Sequence, residues 1–169
     1  MTFKAEIRAS LGWDWNDGVV DNGRLEYAKS CAQGHDDGQA EAVWHAADQI
    51  LLEGGATHLD LTALVRSALG GTFDTCLLRV KALLVVHQAG DGKLVLGGAG
   101  GAEWSAPFGA DGDTLEIPAQ SALLLVNRQD GWPVDDANKL LRLSAVGGHV
   151  TYSVAIVGTT TADGSGSGA

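Results

Sequence analysis

The chain has 169 residues, a net charge of −10 and a hydrophobic content of 45%. A chain of this length buries roughly 70% of the surface its unfolded form exposes, so its core needs no covalent staples. Eleven basic residues stand against 21 acidic ones and form no stripe, which argues against nucleic acid as a partner, because neutralising phosphates takes clustered cations. No apolar run approaches the roughly 20 residues of a membrane helix, so no membrane partner is expected either.

Taken in chain order, Phe3, Ala5 and Ile7 alternate with Lys4, Glu6 and Arg8, the period-two pattern of a half-buried strand. The start lacks an apolar signal core, so secretion by the standard route is not expected. Trp13–Gly23 (WDWNDGVVDNG) has the composition of a turn with two tryptophans inserted. Arg24–Ser30 has strand character, and Cys31–Gln39 (CAQGHDDGQ) is expected to be a polar loop. Residues 1–39 thus form an N-terminal strand and loop arm. Cys31 and Cys76 lack the CxxC spacing and are expected to be reduced and unrelated. Cys76, among Phe73, Leu77 and Leu78, is expected to act as a small hydrophobe.

Residues 40–158 are expected to form a β-sandwich domain. Glu41–Leu52 is compatible with either helix or strand, but its alternation and the following Gly54–Gly55 turn favour a hairpin with His58–Leu61. Leu61–Leu69 (LTALVRSAL) is the best helix candidate, with Leu61, Leu64, Val65 and Ala68 at helical spacing, Thr62 as cap and Gly70–Gly71 as stop. Strand-length apolar runs follow at Arg79–Gln88, Lys93–Gly97, Thr114–Pro118, Ala122–Asn127, Lys139–Val146 and His149–Gly158. Gly, Asp, Asn or Pro bounds most of them. The expected fold is all-β, an antiparallel jelly-roll-like sandwich with one short helix. Residues 159–169 (TTTADGSGSGA) are expected to be a flexible tail.

Chemistry-bearing patterns are sparse. Asp14, Asn16, Asp17 and Gly18 begin a calcium-loop pattern, but the glycine is one place early and no glutamate closes it; Asx turns account for them better. His35 with Asp36 and Asp37 is weighed the same way, and Asp111–Asp113 is a turn before a strand. The five histidines form no His-x-His pair of the kind a cupin metal site needs, although His45, His87 and His149 are placed where strands can bring them together. No Gly-x-Ser-x-Gly elbow is present, and neither cysteine has a context that lowers its pKa. The Gly97–Gly101 run lacks the Gly-Lys-Ser/Thr end of a phosphate loop, and a flexible turn explains it. No catalytic residue, metal or cofactor is expected. Trp13, Trp15, Trp104 and Trp132 lie in or beside turn-rich segments, where tryptophan anchors interfaces, stacks on sugars or caps a core.

The order of several short motifs resembles a group of small structural proteins of tailed bacteriophages and prophages. They are Val43-Trp44-His45, Leu59-Asp60-Leu61, Phe73, Val80-Lys81-Ala82-Leu83, Gly97-Gly98 and Pro107-Phe108-Gly109. Leu123-Leu124-Leu125, Gly131-Trp132 with Val134, Leu141 with Leu143, and Tyr152 with Gly158 complete the series. The resemblance implies a non-enzymatic β-sandwich virion component, made in the bacterial host cytoplasm, that decorates or cements a capsid. Its implied partners are further copies of itself and the major capsid protein or other virion proteins. The candidate interface residues are Trp13, Trp15, Trp104 and Phe108, with the N-terminal segment as an arm toward a neighbouring subunit. The alternatives are a carbohydrate- or receptor-binding β-sandwich with tryptophan platforms and, third, a cupin-like enzyme.

Overall fold

Strict alternation of apolar and polar residues persuades a chain to pleat, and here it persists much further than the turn residues suggest. A computed structural model describes residues 3–16, 18, 20–68 and 71–160. In it β1 (Ala5–Asn16) and β2 (Val20–Gln33) pair along their whole length as one antiparallel hairpin, from Ala5 opposite Cys31 to Asn16 opposite Val20. The expected turn at Trp13–Gly23 is therefore strand on both sides of a short connection. The expected loop at Cys31–Gln39 begins as strand, and turns only before β3 (Gln39–Ala40), which joins β2 in parallel.

The strands that follow are β4 (Ala42–Leu51), β5 (Ala56–Asp60), β6 (Leu64–Ala68), β7 (Gly71–Thr75) and β8 (Arg79–Gly90). After them come β9 (Lys93–Gly97), β10 (Thr114–Ile117), β11 (Ala122–Val126), β12 (Trp132–Pro133), β13 (Leu140–Val146) and β14 (Val150–Thr159). Two antiparallel sheets dominate. One has the order β10-β9-β13-β5, the other β11-β8-β14-β4 with β12 added on β8. Their inner faces share one core. Leu94, Leu96, Ile117, Leu141 and Leu143 enter it from the first sheet, and Trp44, Leu83, Val85, Tyr152, Val154 and Ile156 from the second. Each fully buried side chain of this size contributes about 1.5–3 kcal/mol through removal from water. The molecule is thus all-β and sandwich-like.

The alternation in β14 shows how the sequence sets the layers: Val150, Tyr152, Val154 and Ile156 point inward, while Thr151, Ser153, Ala155 and Val157 are half-buried on the outer face. Thr159 ends this strand and is buried, and Thr160 hydrogen-bonds Glu41, so β14 reaches past the expected start of a tail. The rest of that tail, residues 161–169, lies outside the described residues.

The helix expected over Leu61–Leu69 does not form, and no described residue is helical. Asp60 accepts bonds from the Thr62 N–H (2.9 Å) and hydroxyl (2.6 Å), which turns the chain instead of capping a helix. Leu61 is tied to Lys139 and Leu77 through its backbone, and β6 then pairs with β7. Leu64 is buried and Val65 exposed, a pleated and not a helical pattern. A helix this short gains little from propagation, so tertiary pairing wins. The expected stop at Gly70–Gly71 falls where β6 gives way to β7; Leu69 and Gly70 lie outside the described residues.

The expected hairpin of Glu41–Leu52 with His58–Leu61 also fails. β4 and β5 are strands, but β4 pairs with β14 and β5 with β13, so the glycine turn carries the chain from one sheet to the other. The cysteines exchange their expected settings: Cys31 is buried at the root of the hairpin, while Cys76 is exposed.

Candidate interaction surface on the hairpin and the outer sheet

Residues directly opposite in an antiparallel ladder lie on the same face. The register of β1 with β2 therefore sorts the hairpin into two unlike faces. Ile7, Ala9, Leu11, Trp13 and Trp15, with Leu25 and Tyr27 opposite, make one largely apolar face, which Lys29 opposite Ile7 and Asp21 opposite Trp15 bound at its two ends. Glu6, Arg8, Ser10, Asp14 and Asn16, with Asn22, Arg24 and Glu26 opposite, make the other, on which Arg8 and Glu6 pair at 2.7 Å.

Only the root of the apolar face is covered. Ile7 and Cys31 are buried against Ala40 and Ala82, with Leu124, Val126 and Val157 packed around them. Arg128 Nε donates to the Ser30 carbonyl at 3.1 Å, and the Gly38 N–H donates to the Gln129 carbonyl at 3.1 Å, fixing the root to the loop after β11. Beyond Ala9 the same face is open: Leu11 is 67% exposed, Trp15 62% and Leu25 70%, with Trp13 and Tyr27 also exposed. Gly23 stands opposite Trp13, and a Cβ there would collide with the indole, so the glycine makes room for the ring.

The outer face of the β11-β8-β14-β4 sheet continues this apolar surface. Register places Leu124, Leu84, Ala155 and His45 in one row, and Val126, Ala82, Val157 and Val43 in the next. Leu84 and Val43 are exposed and most of the others half-buried. No carboxylate, lysine or arginine interrupts these two rows. Where hairpin and sheet meet they enclose a cleft of about 500 Å³ between Ala9, Tyr27 and Lys29 on one side and Leu124 and Val126 on the other. A second cleft of about 300 Å³ opens beside Ile7 and Arg8 over Leu84, Ala155 and Val157.

Of the four candidate interface residues, Trp13 and Trp15 are on this open face. Trp104 is not available: it is 1% exposed, donates its indole N–H to the Pro133 carbonyl at 3.0 Å, and meets Phe108 and Trp132 edge-on at 6.3 and 6.1 Å. Phe108 is half-buried against it. These two are core residues at a loop end, because an indole flanked by two rings and a carbonyl acceptor is better satisfied inside than in water.

The glycine run Gly97–Gly101 has a function that the sequence reading missed. The buried Glu103 carboxylate accepts backbone N–H groups from Gly98, from Gly112 at 2.9 Å and from Gly100 at 3.5 Å. Burial pushes its pKa up, and the N–H bonds from Gly112, Gly98, Gly100 and Ala99 more than offset this, holding it below the ordinary value. The backbone nest that resembles a phosphate loop is thus filled by the chain's own carboxylate.

The histidines do not converge. His87 is buried, its ring nitrogens facing the Ile117 and Ala89 carbonyls at 3.2 and 3.1 Å. His45 is exposed on the outer sheet, and His149 pairs with Asp91 at 3.0 Å. Among the described residues no three His, Cys, Asp or Glu side chains gather around a common point. Asp113 accepts the Ala110 N–H within one turn, as expected of a turn residue, and Asp111 accepts the Ser105 hydroxyl across the loop. No protein family, no curated protein and no solved structure matches this chain.

Proposed function

We propose that this chain is a structural subunit of a phage-type virion, a decoration or cement protein that works through contacts with further copies and with a capsid shell. In this reading the fold is a jelly roll. The strand orders support it: β4, β8, β11 and β14 fall in one sheet and β5, β9, β10 and β13 in the other, so the chain repeatedly crosses between layers in the interleaved order of that architecture. Viral capsid domains use this architecture, as do lectins and cupins, so the fold narrows the class and the surface must carry the function.

The observation that carries the proposal is the amphipathic hairpin. A two-stranded ribbon is marginal in water by itself. This one extends an open apolar face with two tryptophans away from the core, as a subunit-linking arm requires. Trp13 and Trp15, with Asp21 opposite Trp15, also suit sugar stacking, but Leu11 and Leu25 extend the same face as an apolar surface, and Trp104 is withdrawn into the core.

The test is co-sedimentation of the purified protein with expanded capsids assembled from the major capsid gene nearest to its own. Saturation at a fixed number of copies per capsid is expected. Failure to bind those capsids, together with glycan-array binding abolished by Trp15→Ala, would replace this reading with the carbohydrate one.

A further inference from the structure

We infer that the hairpin is an exchange arm: its apolar face packs on the outer face of the β11-β8-β14-β4 sheet of a second copy. The proposal deepens the assembly reading above and rests on it for the role of the arm, while naming the occupant and the acceptor.

Besides exposed Ile50, Leu52, Val65, Phe73 and Val146 elsewhere, two adjoining apolar surfaces lie beside the clefts. One is a ribbon bearing exposed Leu11, Trp13, Trp15 and Leu25; the other is a sheet face on which Leu84 is exposed and Val86 and Ala155 are half-buried. Reciprocal exchange between copies covers both, because every chain supplies a donor and an acceptor.

Charge favours the same occupant. The chain is strongly acidic, and two copies repel wherever their acidic surfaces meet. Yet residues 3–33 hold four of the eleven basic residues and five of the 21 acidic ones, so the arm is close to neutral. Its apolar face carries Lys29 at the covered root and Asp21 opposite Trp15, and the row of the acceptor sheet through Leu84 and Ala155, next to the row seated under the chain's own root, carries no acidic or basic side chain apart from His45. The arm and its seat are where a second copy of this acidic chain meets least repulsion.

The area is sufficient. From Ala9 to Asn16 the ribbon runs roughly 24 Å and is roughly 10 Å wide. Covering that face on both partners, twice in a reciprocal pair, removes about 1,000 Å², at the threshold for a specific interface. The jaw between hairpin and sheet is open where the ribbon of a second copy would enter, along the clefts beside Tyr27 and Leu84.

The experiment is light scattering on the full chain, followed by cross-linking. The wild type is expected at a defined multiple of 17.4 kDa. Leu11→Asp with Leu25→Asp on the arm, and separately Leu84→Asp on the sheet, should each fall to 17.4 kDa with circular dichroism unchanged. The arm substitutions lie beyond the packed root, so they do not test folding of the sandwich. For the contact itself, two differently tagged chains are co-expressed in a Cys76→Ser background, one with Leu11→Cys and one with Leu84→Cys. Oxidation should join the two tags. A monomeric wild type, an oligomer indifferent to all three aspartates, or links only between like chains would overturn the proposal. An oligomer that ignores capsids overturns the shell reading alone; a monomer that binds capsids overturns exchange alone.

Discussion

Glu103 illustrates how a single residue organises a loop. Its carboxylate gathers N–H groups from both ends of the Gly97–Asp113 connection, whose glycine-rich backbone is otherwise anchored by the buried Trp104 and half-buried Phe108. Removing one partner of a buried charged bond costs about 1–3 kcal/mol, so Glu103→Gln should lower stability by that amount at neutral pH. The sign of the pH dependence follows from its depressed pKa. Ionised Glu103 stabilises the fold fully above its ordinary value of 4.5, and this contribution is lost as pH falls through the lower folded value. Urea unfolding of both proteins from neutral pH downward should therefore show the gap closing in acid. A gap that widens in acid would contradict the role given to the carboxylate. The tryptophans divide just as sharply. Trp104→Ala should cost about 3–5 kcal/mol, whereas Trp15→Ala should change the stability of the monomeric fold by no more than about 0.5 kcal/mol. Equal losses in denaturant midpoint would show that the core and arm assignments are wrong.

At the scale of elements, the strands of the second half were legible because each is short, apolar and bounded by turn residues; Lys93–Gly97 matches the structure at both ends. The hairpin arm was half legible. Odd positions from Phe3 to Trp15 are all apolar, a period-two run that the sequence reading followed only to Arg8, since Asp14 and Asn16 in WDWNDG imitate turn chemistry. Those polar residues face the other side of the ribbon. Leu61–Leu69 misled for the opposite reason, as its leucines fit helical spacing while the strand pairing that decides the matter comes from β7, outside the window. Glu103 had one signal, a carboxylate just after a glycine run, but its third donor, Gly112, is remote in sequence. The β6–β7 hairpin is held to the sandwich by the Trp44 indole N–H, which donates to the Val65 carbonyl at 3.0 Å. Trp44→Phe should cost about 1 kcal/mol beyond its packing loss. Amide exchange over residues 64–68 should accelerate more than over β14; uniform acceleration would deny the tie.

Across the whole molecule, stability and recognition occupy different places. The sandwich buries its large side chains between two sheets and leaves the apolar hairpin face beyond Ala9 and the adjoining outer sheet face around Leu84 for another molecule. A free ribbon of this kind opens readily, while a ribbon seated on a neighbour is protected. Amide hydrogen exchange of the intact protein over residues 9–27, across a dilution series, tests this most directly. Slow exchange over residues 9–27 at high concentration that becomes fast on dilution, while β8, paired on both sides within its sheet, stays slow, is the predicted result. Exchange over residues 9–27 at the rate of an unstructured peptide at every concentration would contradict it.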